Sequence, residues 1–140
     1  MGTTQPDSFL DLLGGGHVLM YKLAAEAHLM AAAAASSLSY TIIKPSGLTD
    51  GAPGTSELVV GHEDDFGAHK CGEPGPQGCI SVARGDVAAM AAAAAADPAY
   101  TAAAGDVRFD LTSDATGPAP KGFADIFREA RHYDSSGAAS

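Results

Sequence analysis

The sequence is poor in the residues that build a large aromatic core or a basic binding surface. It contains no Trp, and aromatic residues make up 6% of its 140 positions. Only 8 basic residues stand against 17 acidic ones, which gives a net charge of −9. Nucleic acids and anionic membranes are bound by clustered Lys and Arg. The composition therefore excludes both as expected partners.

Cysteines and long apolar runs are also scarce. Cys71 and Cys79 are the only cysteines, too few for the disulfide framework of a small secreted domain. His62 and His69 lie nearby, but the spacing is not that of a zinc finger, and no metal site is predicted. No apolar run reaches the ~18 residues of a membrane-spanning helix. The first residues lack the basic and apolar segments of a signal peptide, so we expect a soluble intracellular protein.

The remaining pattern is an alternation of helices and strands, which favours an α/β fold. Two β-branched segments, 40–44 and 106–111, are joined through a helix, and this connection suits parallel pairing. Residues 46–55, 61–78 and 112–122 are rich in Gly, Pro and polar residues and are predicted as loops. The predicted elements are a short turn at 7–11, helices at 17–35, 81–96 and from 123, strands at 40–44, 57–60 and 106–111, and a polar tail at 134–140.

The helix predicted at 17–35 has one apolar stripe, formed by residues that recur at helical spacing. Lys22 and Glu26 lie on a different face of this helix. Gly85, in the helix predicted from 81, is expected to cost up to ~1 kcal/mol if it is an interior position. Arg84 and Asp86 are expected to cap that helix and to form an ion pair. The stripe at 17–35 consists of Met20, Leu23, Ala24, Ala27, Met30, Ala31 and Ala34.

Six segments, taken in order, resemble the C-terminal half of the atypical short-chain dehydrogenases/reductases, the NmrA-like NAD(P)-binding proteins of plant and algal type. No single segment is decisive, and the order and spacing carry the resemblance. It implies a partial Rossmann-like domain over residues 1–133, with two to three strands and three to four helices. The segments are MGTTQPD at 1–7, GGGHVLMYKLAAE at 14–26, YTIIKPSGL at 40–48, ELVVG at 57–61, ISVARGDVA at 80–88 and RFDL at 108–111.

The resemblance implies an NADP or NAD cofactor and names the residues that would meet it. Lys22 matches the lysine that hydrogen-bonds the nicotinamide ribose, and it is the candidate catalytic residue. The backbone of Pro45, Ser46, Gly47 and Leu48 would face the nicotinamide, although Ser46 replaces the usual glycine. Two alternatives stay open: an ordinary surface lysine paired with Glu26, and an ordinary turn after the strand.

The resemblance also implies that the first five strands and the phosphate-binding turn are missing. Gly14–Gly16 follows a predicted helical turn rather than a strand, so it is not expected to bind phosphate. Tyr21 directly precedes Lys22 rather than lying four residues before it, so packing is its expected role. We therefore expect an NAD(P)-dependent oxidoreductase-like chain that is weak or inactive alone, in the chloroplast stroma or the cytoplasm. The alternative is a non-catalytic accessory subunit, docked on a larger assembly such as a photosynthetic complex, with a protein partner covering the exposed sheet edge.

Overall fold

The computed structural model describes residues 17–63, 81–97, 100, 106–115, 117 and 120–137. This part of the chain forms an α/β fold with three helices and five strands, which confirms the predicted class. The turn predicted at 7–11 and Gly14–Gly16 lie outside the described residues. The helices are α1 (Val18–Ala34), α2 (Arg84–Ala96) and α3 (Phe123–Gly137), and the strands are β1 (Thr41–Pro45), β2 (Gly47–Thr49), β3 (Glu57–Gly61), β4 (Ser81–Ala83) and β5 (Val107–Asp114).

The main sheet has three strands in the order β1-β5-β3. β1 and β5 run parallel, with Thr41 opposite Val107 and Pro45 opposite Leu111, as predicted for segments 40–44 and 106–111. β3 pairs antiparallel with the other side of β5. The carboxyl ends of β1 and β5 therefore meet at the same edge of the sheet.

A second, two-stranded sheet corrects two sequence expectations. β2 lies inside the predicted loop 46–55 and pairs in parallel with β4, with Leu48 opposite Val82. The helix predicted from 81 begins at Arg84, because the three residues before it are taken up by β4. Each strand is only three residues long, and its partner lies more than thirty residues away. Neither strand has a local signal strong enough to be recognised before that pairing is known.

The last strand and the last helix are both longer than predicted. β5 continues to Asp114, three residues into the predicted loop 112–122, because β3 pairs with it over that stretch, from Gly61 opposite Asp110 to Glu57 opposite Asp114. α3 continues to Gly137 and so includes part of the segment predicted as a polar tail.

The hydrophobic core lies on one face of the main sheet, beneath α2 and α3. Phe109 of β5 and Phe127 of α3 are fully buried and meet edge to face, with ring centroids 6.0 Å apart. Tyr100 also stacks on Phe127, with ring centroids 5.1 Å apart. Aromatic pairs in these arrangements add to the stabilisation from area burial. The buried core cluster consists of Leu58, Val82, Met90, Ala94, Val107, Phe109, Leu111, Ile126, Phe127 and Ala130.

The start of α2 is joined to the loop after β2 by polar contacts. Asp86 is buried, and its Oδ1 accepts a hydrogen bond of 2.8 Å from the backbone N–H of Gly54. Arg84 pairs with Asp50 at 2.9 Å on the surface, so the expected ion pair is formed, with Asp50 of the loop rather than with Asp86. A Cβ on Gly85 would lie 3.0 Å from Pro53. The glycine thus permits a close approach of loop and helix, which a helix-propensity argument alone does not reveal.

Lys121 links two carboxylates, and this link predicts a pH dependence. Its Nζ lies 3.0 Å from buried Glu57 and 2.9 Å from Glu129. The hydrogen bond that Lys121 donates to Glu129, with a further contribution from Glu57, raises the pKa of Lys121 above its ordinary 10.5. A raised folded-state pKa contributes stability that is complete below the unfolded value and is lost as pH rises through the folded value.

We therefore expect the free energy of unfolding of the wild-type chain to fall as pH rises above about 10.5. Lys121→Met lacks the ammonium, so this contribution to the fall should be absent from it. Urea denaturation of both chains at pH 8, 9.5 and 11 measures this. The difference between their midpoints should be largest at pH 8 and should shrink at pH 11. A difference that stays constant across this range would contradict the proposed role of the ammonium.

Candidate functional site

The face of the main sheet opposite the core carries polar side chains at the carboxyl ends of β1 and β5. Side chains alternate between the two faces of a strand. Ile43, Phe109 and Leu111 belong to the core cluster or pack against it, so Lys44 and Asp110 lie on the opposite face. In open α/β sheets, ligands bind beside the carboxyl ends of parallel strands. This end of the sheet is therefore the candidate site.

A buried ion pair lies at the centre of this polar face. Lys44 Nζ lies 2.9 Å from Asp110 Oδ1, and the two side chains are 5% and 0% exposed. They stand opposite each other in the register of β1 and β5. Sequence reasoning did not single out either residue, because a lysine at a strand end is usually solvated and RFDL was interpreted only as a strand. Their common register could be recognised only after the parallel pairing of the two strands was known.

Ser46 connects the end of β1 to β5 through both its backbone and its side chain. Its N–H donates to the Leu111 carbonyl at 2.9 Å, and its hydroxyl donates to Thr112 Oγ1 at 2.8 Å. The Thr112 hydroxyl in turn donates to the Ser81 carbonyl at 3.4 Å. The Ser46 side chain is thus buried and engaged with β5. These bonds fix the direction in which the chain leaves β1.

The other predicted cofactor-binding residues lie beside Ser46. Pro45 is half-buried as the last residue of β1, and Gly47 and Leu48 are exposed at the start of β2. The structure therefore brings Pro45, Ser46, Gly47 and Leu48 together at the carboxyl end of β1.

Lys22 lies in α1 with an exposed side chain. The predicted pairing with Glu26 is wrong, because Glu26 instead binds Arg108 of β5 at 2.7 Å, whereas the exposed position agrees with the alternative of an ordinary surface lysine. Lys22 forms no ion pair with any residue that the structure describes. It lies on the same side of the helix as buried Leu19 and Glu26, because residues three and four apart share a side. Since Arg108 and Asp110 lie on the same face of β5, the Glu26 contact directs that side of α1 toward the polar face.

Tyr21 was expected to pack in the core or at its rim, and the structure contradicts this. Its side chain is 69% exposed. Adjacent helical residues point about 100° apart, so Tyr21 points away from the side of α1 that carries Lys22.

Within the described residues, no group of three or more His, Cys, Asp or Glu side chains could hold a metal ion. His62 contacts the Ala130 carbonyl at 3.1 Å, whereas His69, Cys71 and Cys79 lie outside the described residues. Among the described helices, none has the length and apolar character that crossing a membrane requires.

Comparison with known proteins assigns a family to this arrangement. Residues 2–98, more than half of the chain, match the family described as NAD(P)H-binding. The chain belongs to the NAD(P)H-binding family. The matched segment includes Lys22 and the predicted cofactor-binding residues Pro45–Leu48, and it ends before β5. An NADP or NAD cofactor is therefore the one that the family implies.

A curated relative of this NAD(P)H-binding chain is the Sanguinarine reductase of Eschscholzia californica. The two are 42% identical over 64 residues, which is 46% of this chain and 22% of the relative. The chain thus spans about a fifth of the length of the curated relative that it matches.

Two features of the described residues are compatible with the nicotinamide end of a dinucleotide. Lys22 offers an ammonium without an ion-pair partner in the described residues, and Gly47 adds no side chain beside an approaching ring. The ion pair of Lys44 and Asp110 and the Ser46–Thr112 hydrogen bond hold the strand end in one conformation. A Gly-rich turn for the pyrophosphate is not present among the described residues.

Proposed function

We propose that this chain forms the nicotinamide end of an NAD(P)H site in an atypical short-chain reductase of the NmrA-like, plant or algal type. The observation that carries the proposal is the match of residues 2–98 to the NAD(P)H-binding family. The geometry supports its location, because β1 and β5 end together beside Pro45–Leu48. Ligands of open α/β sheets bind at such strand ends.

Each residue of the proposed site has a distinct role. The Lys22 ammonium donates hydrogen bonds to the hydroxyls of the nicotinamide ribose, and it is available for this because it is exposed and has no ion-pair partner among the described residues. The backbone of residues 45–48 lies against the nicotinamide ring. Lys44 and Asp110 do not touch the cofactor in this proposal; they keep the end of β1 rigid. When bound, the cofactor supplies the hydride chemistry.

For the whole protein we propose reduction of a small organic substrate by hydride transfer. The reductase name of the relative supports this reaction type. The region that binds the pyrophosphate contributes much of the affinity for a dinucleotide. We therefore propose that the 140-residue chain alone binds NAD(P)H weakly and has little or no activity. By the same resemblance, we propose the chloroplast stroma or the cytosol as its location.

Replacement of Lys22 tests this proposal in the chain as it stands. A charge-assisted hydrogen bond contributes ~1.5–3 kcal/mol, so Lys22→Met should weaken binding of nicotinamide mononucleotide about tenfold or more. Saturation-transfer NMR with increasing mononucleotide concentration measures the dissociation constant.

His28→Met is the matched control, because His28 is exposed on the same helix and lies away from the side that carries Lys22. It should bind the mononucleotide as the wild type does. Equal affinities for wild type and Lys22→Met would remove Lys22 from the site. Absence of binding by the wild-type chain at millimolar mononucleotide would argue against the site itself.

A further inference from the structure

The side of α1 that faces the main sheet carries Lys22 together with the residues that attach the helix. α1 buries Leu19 near its start and Ala33 near its end, and Glu26 lies seven positions from each of them. Seven residues make close to two helical turns, so these three residues lie on one side. Lys22 is about 40° around the helix axis from Glu26. The rotation of α1 about its axis therefore decides where the Lys22 ammonium points.

Apolar burial alone holds α1 weakly against the sheet. Only two of its 17 residues are buried, and one of these is an alanine, which removes little apolar area from water. Between them, Arg108 Nε of β5 donates a hydrogen bond of 2.7 Å to Glu26 Oε2, and the two side chains are 25% and 12% exposed. Hydrogen bonds between ionised groups are about twice as strong as neutral ones. The ion pair is therefore a main determinant of the rotation of α1.

The surroundings of Arg108 favour its pairing with Glu26. Asp110, two residues further along the same face of β5, already pairs with Lys44 at 2.9 Å. The Nη2 atom of Arg108 is buried and has no hydrogen-bond partner among the described residues. Loss of Glu26 would therefore leave a partly buried guanidinium without its counter-charge, which is unfavourable. The ion pair thus favours the one rotation of α1 that keeps Glu26 against Arg108.

We propose that Arg108 is a positioning residue for the cofactor site: by binding Glu26, it fixes the rotation of α1 that directs the Lys22 ammonium toward the nicotinamide ribose. This role rests on the proposed function of Lys22. Neither Arg108 nor Glu26 touches the cofactor, and both act on it through Lys22. Side chains extend ~5–6 Å from a helix axis, so a rotation of only ~20° would move the end of Lys22 by ~2 Å. Such a displacement is enough to break a hydrogen bond.

Breaking the ion pair from either side tests the proposal. Arg108→Met and Glu26→Met should each raise the dissociation constant of nicotinamide mononucleotide ~3–10-fold, up to the loss expected for Lys22→Met. The two substitutions remove charges of opposite sign. A simple charge effect on the mononucleotide phosphate would therefore change the two affinities in opposite directions, whereas loss of positioning weakens both. Saturation-transfer NMR on the full chain measures the dissociation constants.

Three further variants separate positioning from other effects. Because Arg108 acts through Lys22, Arg108→Met should cause no further loss of affinity in a chain that already carries Lys22→Met. Arg108→Lys keeps a cation that can pair with Glu26 and should recover part of the affinity. Arg128→Met is the matched control, since Arg128 is exposed on α3 and pairs with exposed Asp125. It should bind the mononucleotide as the wild type does.

Amide hydrogen exchange tests the attachment of α1 without any ligand. In Arg108→Met and Glu26→Met, the amides of α1 should exchange at least ~3-fold faster than in the wild type, because the helix opens locally more often. The amides of α3 should keep their wild-type rates. A substitution that merely destabilises the whole fold would instead accelerate exchange in α1 and α3 alike.

The positioning role and the proposed function fail in different ways. If Lys22→Met binds the mononucleotide as the wild type does, Lys22 is not part of the site and both are wrong. If Lys22→Met weakens binding but Arg108→Met and Glu26→Met do not, the cofactor site stands and the positioning role is wrong. Affinity changes of opposite sign in the two variants, or wild-type exchange rates in α1, would also overturn the positioning role.

Discussion

Asp110→Ala is expected to destabilise the protein by ~3–5 kcal/mol, because it leaves the Lys44 ammonium buried without its counter-charge. Both side chains are almost completely enclosed, at 5% and 0% exposure. A domain of this size is stable by only ~5–15 kcal/mol. The variant should therefore unfold at a much lower urea concentration than the wild type. Urea denaturation followed by circular dichroism measures the shift in midpoint.

Two further variants distinguish the effect of the buried unpaired charge on stability from other effects of the substitution. The double variant Lys44→Met with Asp110→Ala removes both charges and should recover much of the lost stability, since buried pairs can often be replaced by apolar side chains at little cost. Asp50→Ala breaks the surface pair with Arg84, whose side chains are 92% and 56% exposed, and should cost under ~1 kcal/mol. Equal losses in Asp110→Ala and the double variant would show that the ion pair is not the cause.

Phe127→Ala is expected to cost ~3–5 kcal/mol through loss of buried area and the cavity that remains. Phe127 is 1% exposed, and its ring contacts those of Tyr100 and Phe109, with centroids 5.1 Å and 6.0 Å away. The substitution therefore removes two aromatic contacts between α3 and the rest of the core. Thermal and urea denaturation should both show the loss.

Arg128→Ala is the matched control for this second variant. Arg128 is the next residue of α3, is 64% exposed and pairs only with exposed Asp125 among the described residues. It should change the free energy of unfolding by under ~1 kcal/mol. A similar loss in both variants would mean that α3 tolerates no substitution, rather than that the aromatic cluster carries the stability.

The sequence predicts the elements that have a strong local pattern. α1 and β1 are recognisable from helical spacing and from a β-branched run, and the parallel pairing of β1 with β5 follows from the helix between them. β2 and β4 are different, because each has three residues and forms only by pairing with the other. The end of β5 depends in the same way on β3. Local patterns therefore cannot define these boundaries.

The candidate site, too, could be predicted from the sequence only in part. Pro45, Ser46, Gly47 and Leu48 were predicted through the resemblance, and the structure brings them to one strand end. The Lys44–Asp110 pair was missed, because its two members are 66 positions apart and neither is unusual in its own segment. Burial and pairing of charges depend on sheet register, which the sequence alone did not provide.

The sequence correctly predicts the apolar stripe of α1, but it does not predict what surrounds the stripe in the structure. Helical spacing identifies the stripe, but it does not tell which neighbour covers it. In the structure, the sheet-facing side of α1 instead carries Leu19, Glu26 and Ala33. The ion pair of Glu26 with Arg108 fixes this orientation, and sequence reasoning had assigned Glu26 to Lys22 as its alternative partner.

Chemical-shift mapping of NADPH on the isotopically labelled full chain tests most directly where the cofactor binds. In ¹H–¹⁵N spectra recorded at increasing NADPH concentrations up to the millimolar range, we predict that the largest shifts occur at Lys22 and at Ser46, Gly47 and Leu48. Residues on the far side of the sheet, such as Ile126 and Ala130 of α3, should be unchanged. Shifts confined to α3, or no shifts at any residue, would contradict a nicotinamide site at the carboxyl end of β1.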